Sequence, residues 1–163
     1  MSNQVTHPVR IPGVVPLFNP IARRLMRLGV PIGPNALLSV RGRKSGQTRT
    51  TPVALFEVRG RRWVIGTFGD VNWVRNLRAA GEGTIAAGRR HELVRAQELT
   101  HDESVTFFTE VLGPWVRGGA IRRRMISILN ADDIIDDPVG AAEGRPVFEL
   151  HGIQKNLESS IAE

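Results

Sequence analysis

The stretch Val40–Phe56, VRGRKSGQTRTTPVALF, decides the fold because two apolar, β-rich segments flank a short turn. The turn and its flanks carry four cations: Arg41, Arg43, Lys44 and Arg49. Like charges this close repel one another and cost stability unless an anion lies among them. Arg offers a planar fork and Lys a point charge, and both suit phosphate or carboxylate groups. The hairpin therefore predicts an anion-binding site.

The residues on both sides of this hairpin follow the period of two that is typical of strands. Three successive antiparallel strands are predicted over residues 36–41, 48–58 and 62–68, a hairpin over 83–87 and 92–99, and a last strand over 145–151. Pro52 has no N–H group, so it predicts a sheet edge or a bulge in the second strand. Six strands with one crossover helix predict an α+β fold built on a closed or nearly closed antiparallel barrel.

Helices are predicted between the strands, at residues 71–80 and from Thr100, where Thr100 and Glu103 form a capping box. That second helix is expected to end near Gly113, and a further helix over 115–130 precedes an acidic loop at 131–138. One domain is expected for residues 1–163, in four parts. These are an irregular arm (1–17), a helix (18–29), the barrel with its helices (35–151) and a tail (152–163).

The composition limits which partners, sites and cellular locations are expected. The 22 Lys and Arg outnumber the 16 Asp and Glu, which favours anionic partners. There is no Cys, and the four His are scattered, so no metal site is expected. There is no Tyr, and no aromatic array lies among the cations, so nucleic acid is not expected as a partner. No apolar run approaches the ~20 residues that span a bilayer, and the first residues lack the apolar core of a secretory leader, which predicts a cytoplasmic protein. The basic face of the helix at 18–29 is either solvated or in contact with an anionic membrane.

A second motif, GTFGDVNWVRNL at residues 66–77, ends a strand and begins a helix. Free amides at a helix N-terminus favour negative charge. Asn72 and Asn76 share one helix face, and Trp73 and Asn76 are neighbours on the helix surface. Beside an anion site, these groups suit a planar ring that bears a phosphate, although Trp73 alone could equally be a core anchor.

The order of these pieces resembles the deazaflavin (F420)-dependent nitroreductase family, a branch of the FMN-binding split β-barrel superfamily. The resemblance covers PNALLSVRGRKSGQTRTTPVALF (34–56), RWVIGTFGDVNWVRNLRA (62–79) and the hairpin that follows. It implies an antiparallel split barrel of the flavin-reductase or pyridoxamine-phosphate-oxidase kind, with flanking helices. It also implies the coenzyme F420, which carries a phosphodiester and a polyglutamate tail and gives a hydride to an acceptor. FMN is the alternative cofactor, and it lacks the tail.

The resemblance implies a set of cofactor-binding residues and no identified catalytic residue. The set comprises Arg43, Lys44, Ser45, Gly46 and Arg49 at the turn; Thr51, Pro52 and Val53 on the second strand; Thr67, Phe68 and Gly69; and Trp73, Arg75 and Asn76.

The sequence departs from the family pattern at two points. The best-known members have a Lys in the loop that here reads TFGD (67–70), and Arg75 is expected to supply the lost charge. Those members also use Tyr around the substrate, so bulky nitroaromatic compounds are not expected here.

The acceptor pocket is expected between the arm, Phe18 and the helices around Phe107, Phe108 and Trp115. Such a pocket favours a small, apolar acceptor: a quinone, an enone, an unsaturated lipid or a nitro compound. A non-catalytic protein that binds a cofactor or an anionic lipid stays open as an alternative, as does the choice between a monomer and a homodimer.

Overall fold

Six antiparallel strands form a closed barrel in the computed structural model, which describes residues 35–120, 123 and 133–153. The strands are β1 (Asn35–Arg41), β2 (Thr48–Val58), β3 (Arg61–Ile65), β4 (Glu82–Ala87), β5 (Arg90–Glu98) and β6 (Val147–Gly152). They pair in the order β1-β2-β3-β6-β5-β4, and β4 pairs with β1 to complete the closure. The predicted α+β antiparallel split barrel with flanking helices is confirmed.

Among the described strands, the long strand β2 pairs with β1 over its first part and with β3 over its second part, and only Ala54 has a partner on both sides. Ala54 to Val58 pair with β3, whereas residues 48–53 pair with β1 alone among the described strands. Pro52 lies in the singly paired part, opposite Leu37, so its missing N–H interrupts no ladder with β3. The predicted sheet edge at Pro52 is confirmed.

Alternate residues of β2 enter two different cores. Val53 and Leu55 point into the barrel, where they meet Val74 and Leu77 from the helix α1 (Asn72–Ala80). Ala54 and Phe56 pack on the outside of the barrel, against the helices that follow β5. Burial on both faces explains why this part of the strand reads as a continuous apolar run instead of an alternating one.

The helical segment after β5 begins as predicted and continues past the predicted end. At the start of α2 (His101–Thr106), Thr100 Oγ1 accepts a hydrogen bond from Glu103 N, and the Glu103 carboxylate accepts one from Thr100 N. A π-helix (Phe107–Leu112) then leads directly into α3 (Gly113–Arg117). The predicted end near Gly113 was wrong, because Gly113 N donates to Phe108 O in a wide turn and the segment continues through it.

The predicted acidic loop over residues 131–138 was also wrong. Two short helices, α4 (Asp133–Asp136) and α5 (Pro138–Gly144), occupy the described part of this region. Asp137 Oδ1 accepts a hydrogen bond from Gly140 N at 3.1 Å, and Pro138 takes the first position of α5. A side-chain cap followed by Pro is a helix-start signal.

The third strand also ends earlier than predicted, at Ile65 instead of residue 68. Thr67 N donates to Ile65 O and Gly69 N donates to Gly66 O, so the chain turns at this point.

Several predictions lie outside the described residues: the arm (1–17), the helix (18–29) with its membrane contact, most of the helix over 115–130, and residues 154–163 of the tail. The single-domain organisation and the choice between monomer and homodimer stay predictions. No helix in the described part of the chain is long and apolar enough to cross a bilayer.

Candidate cofactor site

The turn between β1 and β2 is closed by two backbone hydrogen bonds. Gly42 N donates to Gln47 O and Gly46 N donates to Gly42 O, both at 2.8 Å. A Cβ at Gly42 would lie 2.9 Å from Ser45 Oγ and 3.1 Å from Gln47 O, which is too close. Gly46 has a φ of +68°, a conformation that favours glycine. The two glycines therefore allow a compact turn that leaves the side chains of Arg43, Lys44 and Ser45 exposed.

This turn packs against the N-terminal half of α1 through Arg43. The Arg43 guanidinium donates from Nη1 to Asn76 Oδ1 at 2.8 Å and from Nη2 to Asn72 Oδ1 at 3.5 Å. The backbone N of Arg43 also donates to Asn76 Oδ1, at 3.3 Å. Arg43 of the hairpin and Asn76 of the helix are 33 residues apart in sequence, and they join two walls of one site.

An open cleft of about 500 Å³ lies between the turn, β2 and α1. It is lined by Gly42, Arg43, Lys44, Ser45, Arg49, Thr50, Thr51, Asn72, Trp73 and Asn76. The volume lies within the range of small-molecule sites. Asn72 and Trp73 are the first residues of α1, so the N-terminal end of the helix adds positive potential to the cleft.

Seven predicted binding residues meet in this cleft: Arg43, Lys44, Ser45, Arg49, Thr51, Trp73 and Asn76. Gly42, Thr50 and Asn72 also line it but were absent from the predicted set. Thr50 could not be recognised as a cleft residue from the strand pattern. It pairs with Ser39 on β1, as an ordinary strand residue would. Asn72 was recognisable as the residue one helical turn before Asn76.

The remaining predicted residues lie outside the cleft lining: Gly46, Pro52, Val53, Thr67, Phe68, Gly69 and Arg75. Val53 is buried in the barrel core. Thr67 and Gly69 are buried in the turn after β3, where a Cβ on Gly69 would approach Gly144 O. Their contacts with a cofactor stay predictions.

The three cations that line the cleft, Arg43, Lys44 and Arg49, lack carboxylate partners among the described residues, in contrast to four arginines elsewhere in the structure. Within residues 35–120, 123 and 133–153, none of Arg41, Arg43, Lys44 and Arg49 forms an ion pair. By contrast, Arg61 pairs with Glu149, Arg62 with Glu92, Arg75 with Asp70, and Arg78 with both Asp70 and Glu98. Acidic partners are thus available on the barrel, yet no described residue compensates the positive charge of the cleft. That arrangement suits a polyanionic ligand.

Arg75, which was expected to add charge to the site, is held by Asp70 instead, with Nε 2.9 Å from Oδ2. Asp70 also accepts a hydrogen bond from Arg78, and Arg78 in turn binds Glu98 on β5. These hydrogen bonds lower the pKa of Asp70 below its ordinary value, with Arg78 the larger cause. This network therefore connects three parts of the structure: the loop that precedes α1, the helix α1 itself, and strand β5 of the barrel.

The Asp70 network predicts an acid-sensitive contribution to stability. The lowered pKa means that the ionised Asp70 stabilises the fold above about pH 4, and that this contribution is lost as the pH falls through the pKa. Asp70→Asn should lower the free energy of unfolding by about 0.5–1 kcal/mol at pH 7, since exposed pairs contribute this little. Urea unfolding of both proteins should show the difference shrinking between pH 5 and pH 3.

Asp136→Asn is the matched control for this prediction, because Asp136 is exposed and forms no ion pair with a described residue. It should change stability little at any pH. A loss from Asp70→Asn that is equal at pH 7 and pH 3 would show that the carboxylate charge is not the cause.

The structure buries Phe107 and Phe108, which were expected to line the acceptor pocket, whereas the arm that was expected to complete this pocket lies outside the described residues. Phe107 and Phe108 are 3% and 0% exposed, within the core outside the barrel. Trp115 packs edge-on against Phe56, with ring centroids 5.3 Å apart. The helical spacing of these aromatic residues reflects packing against β2 and β3, and Phe18 lies outside the described residues.

The closed six-stranded antiparallel barrel is a split barrel, and the basic cleft beside β2 and α1 can hold an anionic ligand. The sequence model of the F420H(2)-dependent quinone reductase family matches residues 21–122. The match covers more than half of the chain, and the chain belongs to this family. It is therefore an F420-dependent reductase, and the prediction of F420 as cofactor, with FMN as the alternative, is confirmed for F420.

Several solved structures are similar to this chain at low sequence identity. An F420-H2 dependent reductase is 20% identical, with a TM-score of 0.46, over 72% of this chain and 94% of its own. A protein of unknown function from Agrobacterium tumefaciens is 15% identical, with a TM-score of 0.51, over 90% of this chain and 59% of its own. A putative pyridoxamine 5'-phosphate oxidase from Listeria innocua is 6% identical, with a TM-score of 0.47, over 82% and 94%. No curated protein matches the chain.

Proposed function

We propose that the cleft binds F420 by its phosphodiester and polyglutamate tail, and that the enzyme passes the hydride of reduced F420 to a quinone. The observation that carries the binding proposal is the set of cleft cations without carboxylate partners among the described residues. The family description supports a quinone as the acceptor.

The residues of the cleft fit the two ends of this cofactor. Lys44, Ser45 and Arg49 are exposed at the turn, where they can bind phosphate and carboxylate oxygens. Further along the cleft, Thr51 and the half-buried Trp73 offer a surface for the ring. Trp73 keeps its position by packing on Phe148, with centroids 6.4 Å apart.

When bound, the reduced cofactor supplies the hydride itself, so the task of this chain is to hold the reacting groups in place. None of the described residues that line the cleft is an Asp, a Glu or a His. An acceptor whose product takes its protons on oxygen, directly from water, therefore suits the site. A quinone meets this condition, whereas an enone needs a proton on carbon, a slower transfer that gains more from an enzyme acid.

The experiment that tests this function follows the oxidation of reduced F420 with a naphthoquinone, an enone and a nitroaromatic compound as acceptors. We expect the naphthoquinone to be reduced fastest, with a rate that depends on enzyme concentration. Reactions without enzyme serve as the control. Tight binding of F420 without turnover of any acceptor would contradict the proposal and favour a cofactor carrier.

A further inference from the structure

Asn76 has one half of its amide group fixed by the turn. The residue is only 8% exposed, and it lies on α1 at the wall of the cleft. Its Oδ1 accepts hydrogen bonds from Arg43 N at 3.3 Å and from Arg43 Nη1 at 2.8 Å. Both of these groups are donors only, so the atom that they meet must be the amide oxygen and not the nitrogen. Arg43 therefore sets the orientation of the Asn76 amide.

The other half of the amide has no protein partner. No described residue accepts a hydrogen bond from Asn76 Nδ2, although the residue is more than nine-tenths buried. Although the residue as a whole is buried, Nδ2 is not one of the fully buried polar atoms, so it keeps contact with the open cleft. With Oδ1 turned to Arg43, the nitrogen is left to face the cleft, where a ligand can accept from it.

Arg43 also differs from the other cleft cations in how it is held. Its side chain and backbone bind the neutral amides of Asn76 and Asn72, whereas Lys44 and Arg49 form no hydrogen bond with a described side chain. Because the Arg43 guanidinium already donates hydrogen bonds to two residues of α1, it has fewer N–H groups left to bind an anion.

We infer that Asn76 Nδ2 donates a hydrogen bond to an acceptor oxygen of the bound cofactor, and that Arg43 is a positioning residue that acts through Asn76. The inference rests on the proposed binding of F420 in this cleft. The oxygen is either a phosphodiester oxygen or a carbonyl oxygen of the ring, because both accept from an amide N–H.

Asn76→Asp tests the donor role. The Asp keeps an oxygen for Arg43 but places a second oxygen where the NH2 group was. Binding of oxidised F420, followed by its fluorescence, should weaken at least tenfold, while the melting temperature stays the same or rises. Asn72→Asp is the matched control, because it adds the same charge to the same cleft one helical turn earlier. We expect its effect on binding to be several-fold smaller.

A second measurement tests the positioning role of Arg43. Arg43→Ala and Asn76→Ala should each weaken F420 binding about tenfold. If Arg43 acts through Asn76, the double variant should bind about as weakly as either single variant. The side-chain amide resonance of Asn76, assigned by its loss in Asn76→Asp, should shift when F420 is added to the unaltered protein.

A deazaflavin riboside that lacks the phosphodiester shows which group of the cofactor provides the acceptor oxygen. If Asn76→Asp weakens binding of F420 but not of the riboside, the acceptor is the phosphodiester; equal losses identify the ring carbonyl.

Equal losses from Asn76→Asp and Asn72→Asp, or a double variant about a hundredfold weaker, would overturn the inference alone. An unaltered protein that binds no F420 would overturn the proposed function together with it.

Discussion

Replacing Lys44 and Arg49 together by Ala should weaken F420 binding by about 30-fold at low ionic strength. Both side chains are exposed in the cleft and have no carboxylate partner among the described residues, so their charge is available to the ligand. Exposed charged contacts contribute roughly 1 kcal/mol each, so the loss of two lowers the binding free energy by about 2 kcal/mol, which is about 30-fold in affinity. Fluorescence titration of oxidised F420 measures the change directly.

Salt provides an internal check on the Lys44 and Arg49 prediction. Because screening weakens exposed charge interactions, affinity of the unaltered protein should fall as salt is added, and the gap to the double variant should narrow. Arg89→Ala is the matched control, since Arg89 is an exposed cation in the turn between β4 and β5. The register of β4 on β1 places that turn at the far end of β1 from Arg41. Equal losses in the control and the double variant would contradict the role of the cleft cations.

Phe108→Ala should lower the free energy of unfolding by about 3–5 kcal/mol, the range for truncating a fully buried aromatic side chain. Phe108 is 0% exposed and packs with Phe107, at a centroid distance of 5.4 Å. A loss of this size is a large fraction of the stability of a domain, so unfolding at lower temperature and lower soluble yield are expected. Urea unfolding with a fluorescence signal provides the measurement.

The neighbouring Thr109 is exposed and provides the control, with Thr109→Ala expected to stay within about 0.5 kcal/mol. Phe108→Ala also separates two roles for this residue. If the variant keeps its stability and instead changes its preference among acceptors, Phe108 lines the acceptor pocket, and its assignment to the core is wrong.

Local signals in the sequence predicted most of the barrel and part of the site. The period of two and the turn glycines located the β1–β2 hairpin, and Thr100 with Glu103 located the start of α2 to the residue. The cleft residues on the turn were predictable because four cations around one turn repel one another and destabilise the fold unless they bind an anion.

Contacts between side chains, local in one case and long-range in two, account for what the sequence did not reveal. Arg75 resembles a ligand residue until Asp70 is found beside it, and Phe107 and Phe108 resemble pocket walls until β2 and β3 cover them. The hydrogen bond between Arg43 and Asn76 joins residues 33 positions apart, so no local pattern predicts it.

The most direct test of this account is a parallel titration of the protein with oxidised F420 and with FMN at low ionic strength. The uncompensated cations of the cleft predict that F420 binds much more tightly than FMN, and that added salt reduces this preference. Tight binding of FMN with no response to F420 would contradict the account.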